Sequence, residues 1–269
     1  MTATAGAAST PYVFSNDKPT AGSLLDALGE MLDPFSKIRL HQAGLTPGAR
    51  CLEVGAGRGT IAAWMADQVG SSGEVIATDI KPQHIVPHEG VTVLEHNILT
   101  DELPAGEFDI IHARAVLQHL PERRAVLARL AGALRPGGAM VIEELDSRWS
   151  TSVLAAADER APEIFGKYER ALERVLRNAG NDPTWNRQVL AAMRDAGLRD
   201  VNTEAWQRSF EGGTGICMLA YSGSAELQDK LVATGLINPD DLEILRAVAV
   251  DPATVLRGML LVSTIGFKS

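Results

Sequence analysis

An α/β fold with a mostly parallel sheet is what this chain predicts, and three observations predict it. Short apolar runs alternate with amphipathic helical stretches between residues 50 and 145, the rhythm of right-handed strand–helix–strand units. The first run, Arg50-Cys51-Leu52-Glu53-Val54, opens at once into Gly55-Ala56-Gly57-Arg58-Gly59-Thr60 and then into a helical pattern. The run at 107–113 is almost unbroken in its apolar character, as expected of a strand covered on both faces.

Taken in order, residues 1–10 have neither a basic flank nor an apolar core, so they read as a flexible tail and not as a signal peptide. After Pro11–Asp17, a helical pattern uses Leu24, Leu25, Leu28, Met31 and Leu32, with a break expected near Asp33-Pro34. A second pattern uses Phe35, Ile38, Leu40 and Leu45. Leu45-Thr-Pro-Gly-Ala turns the chain into strand one. A helix over 61–69 ends in Gly70-Ser-Ser-Gly73, and strand two follows at 74–79. The segment to Gly90 is too rich in Pro and His for a good helix. His84 and His88 are spaced i, i+4, but Pro87 lies between them and no third ligand is near, so no metal is expected.

Strand three is expected at 91–96 and strand four at 107–113. Pro121-Glu-Arg-Arg124 opens a helix through Val126, Leu127, Leu130 and Leu134, which Arg135-Pro-Gly-Gly138 ends before strand five at 139–144. Beyond Asp146 the rhythm changes. Residues 151–180 are charged and helix-rich, with Ile164, Phe165, Tyr168, Leu172, Val175 and Leu176 as an apolar stripe. Asn181-Asp-Pro183 breaks it. A helix at 189–196 and strand six at 197–206 follow, then helices near 223–235 and 239–249, and a last strand at 258–267.

Composition narrows the field. A chain of 269 residues with 45% hydrophobic content suits one large domain with an elaborated cap. No apolar run approaches a membrane span. Cys51 and Cys217 fall in apolar surroundings and read as small buried hydrophobes, so a reducing cytoplasm is expected. A net charge of −9 with arginines scattered among acids argues against a nucleic-acid partner. Oligomeric state, monomer or homodimer, is left open.

The glycine spacing says which nucleotide suits the turn. Dinucleotide folds want G-x-G-x-x-G/A, whereas here the third glycine comes one residue early and Thr60 holds the sixth position. Glu53, just before the turn, would repel a pyrophosphate and suit a cation. Asp79 ends strand two about twenty residues after the glycines, where a carboxylate takes both ribose hydroxyls, each bond worth roughly 1.5–3 kcal/mol. A ribose, a positive charge and no phosphate describe S-adenosylmethionine (SAM).

Glu53-x-Gly55-x-Gly57-x-Gly59, Asp79, Phe108-Asp109-Ile110-Ile111-His112-Ala113-Arg114 and Leu134-Arg135-Pro136-Gly137-Gly138 resemble the ordered motifs of class I SAM-dependent methyltransferases. Val116-Leu117-Gln118-His119-Leu120-Pro121 is similar to that family's small-molecule branch. The motifs span roughly residues 48–145, about a third of the chain. The resemblance implies a Rossmann-like seven-stranded sheet of order 3-2-1-4-5-7-6, its last strand antiparallel. It also implies a single domain over 11–269, with an N-terminal helical cover at 11–47 and helical cap insertions at 147–185 and 210–252. The chain lacks the Asn/Asp-Pro-Pro-aromatic motif that nucleobase amino methyltransferases resemble one another in carrying.

For the cofactor, the resemblance points to Tyr12, Glu53, Gly55, Ala56, Gly57, Gly59, Asp79, Ile80, Asn97, Ile98, Ala113 and Arg114. Asn97 stands where the family usually carries an acid that meets the adenine amino group. Ile80 and Ile98 either sandwich the adenine or are core. Tyr12, Arg39 and His41 either reach the cofactor or acceptor or are packing and surface residues. His119 is the candidate base, with a structural histidine as the other reading. On the acceptor side stand His112, Gln118, Asp146, Phe165 and Tyr168, with Glu143 and Glu144 beside them. The implied function is methyl transfer to a small, secondary-metabolic acceptor, at O or N before C, with S-adenosylhomocysteine as product. A peptide carboxylate acceptor, or SAM binding without transfer, are the alternatives.

Overall fold

A computed structural model describes residues 21–104, 107–146 and 152–269. Five parallel strands build the sheet's first part: β1 (Arg50–Val54), β2 (Glu74–Asp79), β3 (Val91–Glu95), β4 (Phe108–Arg114) and β5 (Leu134–Asp146). Two later strands, β7 (Arg199–Trp206) and β10 (Leu260–Phe267), complete it in the order β3-β2-β1-β4-β5-β10-β7. β10 runs antiparallel to both neighbours. Counted within this sheet, that is the expected order with the last strand inserted beside the fifth.

The two faces of the sheet are covered differently. α1 (Ala21–Gln42) and α2 (Thr60–Val69) pack on one, burying Leu40, Ile61 and Met65 against Cys51, Ile110 and Val141. α3 (Arg123–Gly132) and α5 (Val189–Asp195) pack on the other, with Trp185 buried among Ile111, Met140 and Leu130. Strand residues alternate between these cores, so each polar residue on β1, β4 or β5 is assigned to a face by its register.

The remaining elements form a cap with its own core. It consists of α4 (Ala161–Asn178), α6 (Gly215–Glu226), α7 (Gln228–Ala233) and α8 (Pro239–Val250). Phe165, Tyr168, Cys217, Leu231 and Leu245 pack there with Met31, Leu32 and Phe35 of α1. A second, antiparallel sheet of order β6-β9-β8 edges the cap, from β6 (Ser152–Ala155), β8 (Ser209–Glu211) and β9 (Val255–Arg257).

Three local expectations are corrected. α1 runs unbroken through Pro34. The ring removes one backbone bond, but Phe35 is held in the cap core and Leu40 in the sheet core, so packing keeps both halves aligned. Second, Arg135-Pro-Gly-Gly138 does not merely end α3; it belongs to β5. Leu134 pairs with Phe108 and the register then slips to Ile110 with Ala139. A Cβ at Gly138 would stand 2.8 Å from the Phe108 carbonyl oxygen, so this bulge requires glycine. Third, the small cap sheet was not expected. Among the described residues, no helix is long and apolar enough to cross a membrane, and no group of His, Cys, Asp or Glu is placed to hold a metal.

Candidate functional site

The site is built on the turn after β1. Gly55, Gly57 and Gly59 all have positive φ, at 68°, 57° and 77°, a region that side chains with a Cβ rarely enter. A Cβ on Gly55 would also stand 2.4 Å from Val116 Cγ2, and one on Gly59 2.7 Å from Ile85 Cγ2. The turn is anchored to β2, since Gly55 and Ala56 N–H both donate to the Thr78 carbonyl, at 2.8 and 3.0 Å. α1 lies over it: Leu25 faces Gly57, and Arg58 pairs with Asp26 at 2.8 Å. The result is bare backbone at the C-terminal edge of the parallel strands, beside the N-terminus of α2, where an α/β sheet binds a nucleoside.

Asp79 stands across the turn. Its carboxylate accepts the Gly57 N–H at 3.0 Å and the Lys81 N–H at 2.9 Å. Burial raises its pKa, against the pull of those two bonds. Ile80 is 46% exposed and Ile98 is buried, so Ile80 alone offers an open apolar face. The Asn97 side-chain oxygen accepts the Leu99 N–H at 3.0 Å, and its own N–H donates to Asp101 at 2.8 Å. Ala113 is buried in β4 opposite Val54. Tyr12 lies outside the described residues. Neither Arg39 nor His41 is at the turn. Arg39 is buried under β10 and β7, bonded to Ser263, Asn202 and Glu204, and His41 packs edge-on against Trp64.

Beneath the turn, on the α1 face, runs a buried polar chain. Register pairs Glu53 with His112, and Glu53 Oε2 lies 2.7 Å from His112 Nδ1. His112 Nε2 lies 3.2 Å from Glu143 Oε2. The Ser36 hydroxyl of α1 donates to the same Glu143 oxygen. Arg114 then donates to Ser36 Oγ at 2.9 Å and to Asp33 at 2.8 Å. Glu53, His112 and Glu143 are all buried. Burial pulls the His112 pKa down, but the Glu53 charge and the hydrogen bonds to Glu143 and Glu53 more than offset it, leaving it at about 9. Burial likewise opposes ionisation of Glu143, yet His112, Arg114 and Ser36 hold its pKa below the usual carboxylate value. The imidazole is therefore a cation between two carboxylates.

The opposite face at the ends of β4 and β5 carries the other candidates. After Ala115, a non-glycine residue at φ 54°, a single helical turn at Leu117–His119 brings Gln118 and His119 over β5. Glu144 caps this turn, accepting the Gln118 N–H at 3.2 Å. Its Oε2 is buried with no partner among the described residues, and burial raises its pKa well above the ordinary value. The side-chain amide nitrogens of Asn181 and Gln118 lie 3.2 and 3.3 Å from His119 Nδ1 and Nε2. Burial, aided by nearby Arg123, lowers the His119 pKa to about 4, so the ring is neutral at pH 7. Asp146 accepts from Arg187 at 2.9 Å. Phe165 and Tyr168 lie in the cap core, and burial raises the Tyr168 pKa. Arg208 lies over the Phe210 ring.

The structure thus gathers Glu53, the three glycines, Ala56, Asp79 and Ile80 around one edge. His112 joins Glu53 from below, and Gln118, His119 and Asp146 form a separate group beyond β4. Ser36 and Asp33 were not among the expected site residues. Their signal was faint: two polar positions flanking Pro34-Phe35 in a helix that carries other polar residues along its length.

A family model described as a methyltransferase domain matches residues 28–202. Methyltransferase str2 of Strobilurus tenacellus is 30% identical over 188 residues, 67% of this chain and 64% of that protein. Methyltransferase str3 of the same fungus is 33% identical over 144 residues, 52% of this chain and 50% of its own length. The ubiquinone/menaquinone biosynthesis C-methyltransferase UbiE of Cupriavidus necator is 28% identical over 130 residues, 45% of this chain and 53% of that one. The chain therefore spans between half and two-thirds of these curated relatives. Among solved structures, phosphoethanolamine N-methyltransferase 2 of Haemonchus contortus with S-adenosyl-L-methionine superposes with a TM-score of 0.56 at 15% identity, covering 98% of this chain and 60% of that one. YcgJ of Bacillus subtilis gives 0.52 at 15% identity, covering 86% and 97%.

Proposed function

The chain belongs to the methyltransferase-domain family, and from that premise we propose that it transfers a methyl group from SAM to a small-molecule acceptor, with S-adenosylhomocysteine as product. The observation that carries this reading is the cradle itself: three glycines at positive φ, two of them pressed against neighbouring side chains, with the Asp79 carboxylate across from them. Positive φ at these three positions keeps the turn tight and free of Cβ atoms there beside the Asp79 carboxylate, so the residues fit the nucleoside.

SAM supplies an already activated methyl group on a sulfonium. The protein's work is then placement, holding an acceptor lone pair about 3–3.5 Å from that carbon in line with the leaving sulfur. Asp79, fixed by two backbone N–H groups, presents acceptors for the ribose hydroxyls. Ile80 gives the adenine an apolar face, and Glu53 places negative charge below the donor's cationic end. On the acceptor side, Gln118, His119 and Asp146 shape the approach, while Phe165 and Tyr168 set the cap behind it. A neutral His119 accepts from one of its two neighbouring side-chain amides while its other nitrogen keeps the proton, an arrangement suited to orienting an acceptor; with a pKa near 4 it is a weak base at pH 7.

The acceptor we propose belongs to secondary metabolism and is methylated at O or N before C. The name of UbiE, a ubiquinone/menaquinone biosynthesis C-methyltransferase, supports the small-molecule class. A peptide carboxylate is disfavoured because Arg187 is on Asp146 and Arg208 is on Phe210; the third arginine suited to it, Arg148, lies outside the described residues. Two buried free cysteines fit a reducing cytoplasm. Incubation with methyl-labelled SAM and a panel of phenols, amines and quinols, read by mass, tests the reading. Calorimetric failure to bind any adenosyl ligand rejects it.

A further inference from the structure

Past His119, on the sheet face away from α1, two buried side chains keep polar atoms that nothing else among the described residues satisfies. Glu144 and Asp146 are alternate residues of β5 and so share a face. Asp146 is held by Arg187, which sets the single helical turn Trp185–Arg187, Asn186 included, against that end of the strand. Asn186 is buried, and neither its Oδ1 nor its Nδ2 has a partner. Glu144 is buried too; one carboxyl oxygen caps the Leu117–His119 turn, while Oε2 has no partner. Buried groups left unpaired cost stability, and such a cost is tolerated where a ligand uses the groups. Among the described residues, the arginines that reach this junction are already engaged, Arg187 on Asp146 and Arg123 on Asp182 at 2.9 Å.

Resting on the methyl-donor reading above, we propose that Asn186 and Glu144 form the polar end of the acceptor site and take an uncharged hydroxyl of the acceptor. Asn186 presents one accepting and one donating end, both unpartnered. A hydroxyl both gives and receives a hydrogen bond, so it matches that pair. An ammonium has only donors and would leave Asn186 Nδ2 unpaired; a carboxylate has only acceptors and would leave Oδ1 unpaired. A carboxylate would also be buried beside an acid with no unengaged arginine to meet it. Burial raises the Glu144 pKa well above its ordinary value, in keeping with an uncharged site. The bound hydroxyl anchors the acceptor and need not be the atom methylated. The way in passes the partly exposed His119, whose ring lies between the Gln118 and Asn181 amides. Rotation of one of these side chains, a change common on binding, uncovers the two groups.

The experiment is saturation-transfer NMR titration of the full chain, saturated with S-adenosylhomocysteine, against benzyl alcohol, benzylamine and benzoate. It is run on the wild type, Asn186→Leu and Glu144→Gln, with S-adenosylhomocysteine affinity measured by calorimetry in each. In the wild type the alcohol should bind at least tenfold more tightly than either charged probe. Asn186→Leu keeps the volume but neither polar end, and should lose that margin with S-adenosylhomocysteine affinity unchanged. Glu144→Gln keeps a hydrogen-bonding end and should retain the margin. Should Asn186→Leu not fold, Asn186→Ala removes the same two groups. A charged probe bound as tightly as the alcohol overturns the proposal, as does a margin that survives in a folded Asn186 variant or one that is lost in Glu144→Gln. Failure of the alcohol to bind a wild type that holds S-adenosylhomocysteine overturns it as well. A wild type that does not bind S-adenosylhomocysteine would instead reject the methyl-donor reading beneath it.

Discussion

His112 makes stability depend on pH in a direction that can be worked out beforehand. Its folded pKa of about 9 lies above the ordinary 6.5, so the folded state holds a proton that the unfolded chain releases. The stabilisation from this proton is fully present below pH 6.5 and is lost as pH rises towards 9. Within that window the unfolded state binds one proton fewer, so unfolding free energy falls by about 1.4 kcal/mol per pH unit. Across the window the loss is on the order of 3 kcal/mol, a large share of the 5–15 kcal/mol typical of a domain. The assay is urea unfolding at pH 6.5, 7.5, 8.5 and 9.5 for the wild type and His112→Gln. The variant should start less stable by about 3–5 kcal/mol, because two buried carboxylates lose their shared cation, and should lack the slope. A wild type and variant with parallel pH dependence would refute the assignment of an imidazolium between Glu53 and Glu143.

Other perturbations separate the remaining groups. Asp79→Ala removes the acceptor for Gly57 and Lys81 N–H; we expect a loss of about 1.5–3 kcal/mol in stability along with at least tenfold weaker SAM binding, both read on one sample by unfolding and calorimetry. Normal stability there would mean that the two bonds do not hold the turn. Burial raises the Glu144 pKa well above its ordinary 4.5, so this carboxyl costs the folded state stability once pH passes that unfolded value. Glu144→Gln should therefore gain thermal stability relative to wild type as pH goes from 5 to 8, and a constant difference would show an ionised Glu144. With His119 near pKa 4, a kcat profile from pH 6 to 8 should show no step owed to it. A step that vanishes in His119→Ala would restore its role as a base.

Much of the sheet was legible because strands covered on both faces are dominated by apolar residues, and the runs at 50–54, 74–79 and 107–113 are built around Cys51-Leu52, Val75-Ile76-Ala77 and Ile110-Ile111. The glycine turn was legible for a related reason: positive φ and close approach leave a direct mark on residue type. The polar chain was not. Glu53, His112 and Glu143 each read singly as acid, acceptor contact or strand end, and only the register placing Glu53 opposite His112 joins them. Pro34 misled for the opposite reason, since a local breaker was outweighed by packing at Phe35 and Leu40. β6, β8 and β9 are too short to carry a period, and their pairing depends on residues far apart in the chain.

That small sheet restricts how the roof of the site is able to change. Its three strands arrive from two excursions of the chain: β6 after β5, and both β8 and β9 between β7 and β10. A recombination that replaced only the first excursion would strip β9 of its partner β6, and one that replaced only the second would leave β6 to pair with a foreign strand. New acceptor preferences are therefore expected to arise by point changes on α4, α6 and α8, or by exchange of everything from β6 to β9 at once. Chimaeras cut at residue 152 and again near 258 should fold where those cut between β8 and β9 do not.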